Sequence, residues 1–224
     1  MTHKAVITSD IVRSSQMSAK YGRWVIEQIE HKLGTLFGSS AIMESEMYRG
    51  DSFQCLLHQP QLALKAALIL KTYIKSLSLD HQEHSARGEG ISFIKQRMDV
   101  RMSLAVGKIE TETGNIGTSN GEAFRLSGRR LDEMKKMKQS FSMTSADPYE
   151  QELSTEAMLI NFILSKTTAL QCQVIQLKLE GLTEMGIADK LRVHQSAINQ
   201  RATSGGWHAL EVAVKRFETI YANG

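Results

Sequence analysis

Apolar positions along the chain change period several times, and each change marks an element. Residues 4–10 (Lys4-Ala5-Val6-Ile7-Thr8-Ser9-Asp10) form a short β-prone run and predict a strand. Tyr21, Trp24, Val25, Ile29 and Leu33 then recur at helical spacing, with Ser15 placed to cap a helix reaching Phe37. Strands are predicted over 42–49 and 52–58, joined at Gly50-Asp51. Pro60 suits the first turn of a helix carried by Leu62, Ala66, Leu70 and Ile74 to about Leu79. The polar stretch from Asp80 to Gly90 predicts a loop. A strand over 98–109 aligns Val100, Met102, Leu104 and Val106 on one face. The glycine-rich segment 114–121, a helix over 122–136 and a short strand at 140–143 complete a β-α-β-β-α-β-α-β order. That order predicts an α+β fold, a palm related to the ferredoxin-like split βαβ arrangement.

Beyond Asp147-Pro148-Tyr149-Glu150 the pattern is helical throughout, which divides the chain into 1–147 and a small all-α part, 148–224. Leu170, Val174, Ile175, Leu177 and Leu179 make an apolar stripe that ends at Gly181. Thr183 is the N-cap of a helix over 184–191, a tight turn falls at Arg192-Val193, and a further helix starts at His194. Ala188, Leu191, Val193 and Ile198 take the buried spacing of a helix-turn-helix. Trp207, Leu210, Val212, Val214 and Phe217 suggest a last helix for packing or dimerisation.

Composition narrows the class. With 42% apolar and 23% charged residues the chain reads as soluble and globular. Met1-Thr2-His3-Lys4 leads straight into a strand, unlike a signal peptide, and the apolar run Leu62–Leu70 is too short to span a bilayer. The cytoplasm is the expected location. Cys55 and Cys172 lie in apolar surroundings and read as buried thiols, not as a disulfide framework. No Cys/His set has zinc spacing, and His58, His81 and His84 show no partner at ligand spacing. A net charge of +3 is too small to announce a polyanion partner. Within 151–224 the basic and acidic residues balance, although Arg192, Arg201, Lys215 and Arg216 face only Glu211 between 192 and 216.

Two carboxylates carry the chemistry. Asp10 ends the first strand and Asp51 follows the glycine of the hairpin, so both emerge from apolar, β-prone surroundings. Buried anions placed side by side repel unless a cation lies between them, and magnesium or manganese with substrate phosphates answers that need.

The strand ending in Asp10-Ile11, Gly50-Asp51 in a hairpin, and Gly117-Thr118-Ser119-Asn120-Gly121-Glu122-Ala123-Phe124-Arg125-Leu126-Ser127-Gly128-Arg129 together resemble the class III nucleotide cyclase fold, and more narrowly the SatD family. The resemblance covers roughly 1–145. It implies a palm in which Asp10, Asp51 and the Ile11 carbonyl hold Mg2+ or Mn2+, and in which Arg129 stabilises charge on the phosphoryl oxygens. Arg125 stands where cyclases carry an asparagine. Glu46, Met47 and Tyr48 precede the hairpin glycine where purine-selecting members carry a lysine, so the base-recognition set is not matched. Arg49, Gly117 and Gly121 are the candidate phosphate and nucleotide contacts. The shared sites of such cyclases also imply a homodimer.

Residues 167–202 resemble region four of sigma factors and response-regulator tails. On that resemblance Gln195, Ser196, Asn199, Gln200 and Arg201 would face DNA bases or phosphates. A degenerate palm used purely as a scaffold is one possibility, and two functional readings stand beside it. One is a nucleotide-sensing, metal-dependent regulator coupled to a DNA-binding tail. The other is an active nucleotidyl cyclase or phosphoryl-transfer enzyme whose tail serves dimerisation.

Overall fold

A computed structural model describes residues 3–38, 42–48, 50–78, 98–114, 116–137 and 139–222. The expected loop at 80–90, with His81 and His84, and the candidate contact Arg49 lie outside the described residues.

Strand β1 (His3–Ile11) is the centre of the sheet. It pairs antiparallel with β3 (Ser52–Leu57) on one side and β4 (Val100–Thr111) on the other. Strand β2 (Met43–Tyr48) flanks β3 in a hairpin. The resulting order β2-β3-β1-β4 is that of a ferredoxin-like sheet. Strand β6 (Phe141–Ser145) adds to β4 in parallel, and the two-residue β5 (Asn120–Gly121) pairs with the far end of β4. The fold is α+β.

The pleat sorts the sheet into two faces. Ala5, Ile7 and Ile11 point to the main core, where α1 (Ala19–Thr35) contributes Val25, Ile29 and Leu33 at one-turn spacing. Helix α2 (Ala63–Ser76) is buried nearly all round in the same core. Lys4, Val6, Thr8 and Asp10 alternate onto the opposite face. There α3 (Glu122–Met137) packs Ala123 against Val6 and Leu56, and the Thr8 and Ser127 hydroxyls share a hydrogen bond of 2.8 Å.

The helices after β6 join the main core. Leu153, Ala157, Ile160 and Leu164 of α4 (Glu150–Lys166), Ile175 and Leu179 of α5 (Ala169–Leu179), and Leu210 and Phe217 of α8 (Trp207–Tyr221) belong to it. Polar ties reinforce this packing. Lys75 donates to the Leu164 carbonyl, Lys32 pairs with Glu180, and the Tyr221 hydroxyl meets Asp147 at 2.9 Å. Helices α6 (Glu184–Leu191) and α7 (Gln195–Ser204) close a smaller cluster of Val174, Leu177, Ile187, Ala188, Ile198 and Ala202. Thr183 caps α6 by accepting from the Gly186 N–H, and Arg192 turns the chain in the left-handed region at φ 54°.

Some local expectations change. The first helix starts at Ala19, not at Ser15: Arg13 adopts a left-handed conformation and Ser14–Gln16 form a 3-10 turn. Ser18 is the cap, accepting from the Tyr21 N–H. Pro60–Leu62 is likewise a 3-10 turn ahead of α2. Both cysteines are free and buried, and burial pushes both thiols up from their ordinary range. Among the described residues no helix is long and apolar enough to cross a membrane.

Candidate functional site

Antiparallel pairing of β1 with β3 places Asp10 opposite Ser52, one residue past Asp51. Gly50, at φ 75°, takes the left-handed turn position that a side chain disfavours, and so delivers Asp51 to the end of β1. The Ile11 N–H donates to the Asp51 carbonyl at 2.8 Å. The reciprocal bond is not made, because the Asp51 N–H turns back to the Tyr48 carbonyl at 3.3 Å. The Ile11 carbonyl oxygen is thus left beside the carboxylates without that ladder partner.

The two carboxylates differ. Asp51 accepts from the Ser14 hydroxyl at 2.7 Å and from the Ser52 hydroxyl at 3.2 Å, one on each oxygen. Asp10 Oδ2 faces two cations, the Arg101 guanidinium at 3.1 Å and the Lys135 ammonium at 3.8 Å. Asp10 Oδ1 is buried and has no hydrogen-bond partner among the described residues. Burial raises the Asp10 carboxyl above its ordinary range; Arg101 and Lys135 oppose that rise, and the Asp51 charge adds to it. An orphaned buried carboxylate oxygen, a second carboxylate close enough to repel it, and a carbonyl oxygen fit a hard divalent cation.

The arginines of α3 lie along the same face of the sheet. Arg129 is exposed, with no hydrogen bond or ion pair among the described residues. Arg125 is also exposed, and its fork closes on Glu110 of β4 at 2.6 and 3.1 Å. That ion pair holds the Glu110 carboxyl below its usual range. Arg130, by contrast, donates to Ser142 and Glu133.

The glycine-rich segment crosses next to β2. The Gly117 N–H donates to Glu46 at 3.0 Å, and the Tyr48 hydroxyl reaches the same carboxylate oxygen at 3.2 Å. Burial, with Glu46 adding to it, pushes the Tyr48 phenol up to about 12. Gly121 lies against β4: a Cβ there would stand 2.6 Å from the Lys108 carbonyl oxygen. Close backbone packing therefore requires glycine at this position. A cleft of about 500 Å3 opens between the end of α1, β2 and the residues Gly114 and Ile116, lined by Leu33, Met43, Glu44 and Glu46. None of Asp10, Asp51 and Arg129 lines it.

Two features escaped the sequence. Arg101 faces Asp10 only through the register of β1 on β4, in which these residues pair directly. The statement that His58 lacks partners is corrected: its ring sits between Glu44 and Glu112, and the candidate ligand atoms of the three lie within 4.8 Å of one another. Lys4 pairs with Glu112 and stands 2.8 Å from His58 Nδ1. An ammonium can only donate, so Nδ1 accepts and Nε2–H is directed to Glu44 at 2.7 Å. Lys4 already supplies the cation for this cluster.

In α7, Gln195, Ser196, Asn199 and Gln200 are exposed and Arg201 is half-buried. Asn199 interacts with Glu184, which also binds Lys178 at 2.9 Å.

No family model and no curated protein matches the chain. Solved structures do. A bacterial light-regulated adenylyl cyclase is similar over 64% of this chain and 76% of its own, at 13% identity and a TM-score of 0.46. An adenylyl cyclase from P. aeruginosa is similar over 58% and 71%, at 14% identity and 0.42. The GGEEF domain of a diguanylate cyclase from Vibrio cholerae is similar over 65% and 84%, at 13% identity and 0.41.

Proposed function

We propose that the chain is a nucleotidyl-cyclase-type protein that binds a nucleoside triphosphate together with a divalent cation at Asp10, Asp51 and the Ile11 carbonyl. The observation that carries this reading is the buried, unpartnered Asp10 Oδ1 beside a second carboxylate. An anionic oxygen left without a donor in a half-buried site is costly, and a bound cation removes that cost. The resemblance of the motifs at Asp10, Gly50-Asp51 and 117–129 to class III cyclases and the SatD family supports the same reading.

Magnesium or manganese held there would neutralise the triphosphate and acidify the ribose 3′-hydroxyl. The protein supplies the rest. Ser14 and Ser52 fix the Asp51 carboxylate, so that its orientation exists before any ligand arrives. Arg101 and Lys135 oppose the rise that burial imposes on the Asp10 carboxyl. Arg129, without a partner among the described residues, is available to a phosphoryl group, and its forked donors match the charge that builds on those oxygens. It would act on a site completed by a second copy of the chain. The reaction is intramolecular displacement: the 3′-oxygen bonds to the α-phosphorus, its proton leaves, and pyrophosphate departs.

The test is incubation of the full chain with manganese and each of the four nucleoside triphosphates, reading pyrophosphate and cyclic product. Release with at least one, lost in Asp10→Ala and Asp51→Ala, is the expected outcome. Binding with no product would reduce the protein to a sensor of the same ligand.

The second reading, a DNA-binding regulator, draws on the exposed polar face of α7. Gln195, Ser196 and Gln200 stand clear of the protein on the helix that would enter a major groove. The balanced charge of 151–224 gives little phosphate attraction, so binding would need the dimer. Salt-dependent retention of duplex DNA, weakened by Arg201→Ala, is its test.

A further inference from the structure

We propose that Arg101 occupies one of two cation positions at the carboxylate pair, so that the pair takes a single divalent ion, between Asp10 Oδ1 and Asp51. The inference rests on the cation-binding reading above and goes beyond it by assigning the ion count to one residue.

The argument is one of oxygens and charge. Asp10 has two oxygens, and the structure divides them. Oδ2 is held by the Arg101 guanidinium at 3.1 Å, with Lys135 behind it at 3.8 Å. Oδ1 is buried and unclaimed among the described residues. A carboxylate bridges two metal ions with least crowding by presenting one oxygen to each. Here only one is open.

Arg101 is also fixed in place. It sits directly opposite Asp10 in the β1–β4 register, so its side chain emerges on the same face, and it is only 25% exposed. Arginine remains charged at any relevant pH. The two carboxylates therefore already meet the guanidinium and, farther off, the Lys135 ammonium, and a single divalent ion is more than enough to complete their compensation. A second ion would be pushed against the guanidinium and the ammonium with no open Asp10 oxygen to receive it.

The account makes Arg101 the determinant of metal number. Arg101→Gln removes the guanidinium and leaves Oδ2 only the more distant Lys135 ammonium, while Arg101→Lys keeps a charge there. Manganese alone is titrated into the full chain to millimolar concentration, with free ion counted by electron paramagnetic resonance. Wild type is expected to bind one ion, Arg101→Lys one, and Arg101→Gln two, the first of them several-fold tighter than in wild type. Asp51→Asn is expected to bind none at this site.

Two ions on wild type would overturn the inference and leave the cation-binding reading intact. One ion on a folded Arg101→Gln, checked by circular dichroism, would also overturn it. No manganese on wild type would overturn both. If Arg101→Gln fails to fold, the counts on wild type and Arg101→Lys still decide: two ions on either contradict the proposal.

Discussion

At the residue scale, the groups that matter most are charged side chains placed where charge is costly. Lys71 is fully buried and is held by Asp99 at 2.8 Å, the Val100 carbonyl at 2.6 Å and the Ser140 carbonyl at 3.0 Å. Its ammonium ties α2 to the starts of β4 and β6. Lys71→Met fills the space but takes a donor from three acceptors, of which Asp99 keeps the Val100 N–H and the Ser140 carbonyl keeps the Met102 N–H. The substitution should cost about 3–5 kcal/mol in urea unfolding because the Asp99 charge loses its partner. A loss below about 1 kcal/mol would show the three bonds to be dispensable. Glu156 on α4 offers a pH test. Burial, with the Glu152 charge adding and Arg216 opposing, lifts its carboxyl to about 7 from the ordinary 4.5. The folded protein holds this proton more tightly than the unfolded chain does. Its contribution is therefore complete below pH 4.5 and is lost as pH rises to about 7. Glu156→Gln, neutral throughout, should exceed wild type in Tm at pH 8 and converge with it near pH 4.5. A gap that does not vary with pH would refute the assignment. Asp10 and Asp51 were visible in the sequence as singular residues in apolar surroundings. Arg101 was not, because alternation put it on the face opposite Val100 and Met102 but gave no register against β1. The lysines of α2 stand in a largely apolar helix, and two of them, Lys71 and Lys75, are buried clamps.

At the element scale, periodicity located the strands and helices closely, because each has one face in the core. The strand expected at 52–58 is Ser52–Leu57, and the helix expected at 122–136 is Glu122–Met137. The first helix start was misread because three serines compete for the cap. Ser14 is drawn away to Asp51, so the chain turns once more before Ser18 can cap. Side-chain contacts distant in sequence decided that boundary, and local pattern does not contain them. The glycine-rich segment was legible as a loop, but the reason for Gly121 was not. A Cβ there would lie 2.6 Å from the Lys108 carbonyl and 2.7 Å from the Ile109 Cα, both backbone atoms of β4. Gly121→Ala must therefore push β5 and the start of α3 off the sheet. The expected loss is about 1–3 kcal/mol by urea titration. Unchanged stability would mean that this end of α3 moves freely. The same shift should loosen Arg129, which rides on that helix.

At the scale of the whole molecule, the chain reads as two compositions, yet its largest core runs through both. Ala5 and Ile7 of the sheet share that core with Leu153, Ile160, Leu210 and Phe217 of the later helices. Amphipathic faces in the sequence show that each helix buries something, without showing against what. One cooperative thermal transition is expected, with tertiary and secondary probes coinciding. Two separated transitions would mean that 148–224 melts as an independent unit. Cooperativity also links site and tail: a ligand that stabilises the carboxylate end of β1 raises the melting temperature of the entire chain. The central claim, that Asp10 and Asp51 hold a divalent cation with a triphosphate, is thereby open to one direct measurement. Wild type and Asp51→Asn are melted with manganese alone, each nucleoside triphosphate alone, and both together. Wild type should gain more from the pair than from the sum of the two separately, and Asp51→Asn should lose that excess while remaining folded. Equal gains in wild type and Asp51→Asn, or no gain with any nucleotide, would contradict the account.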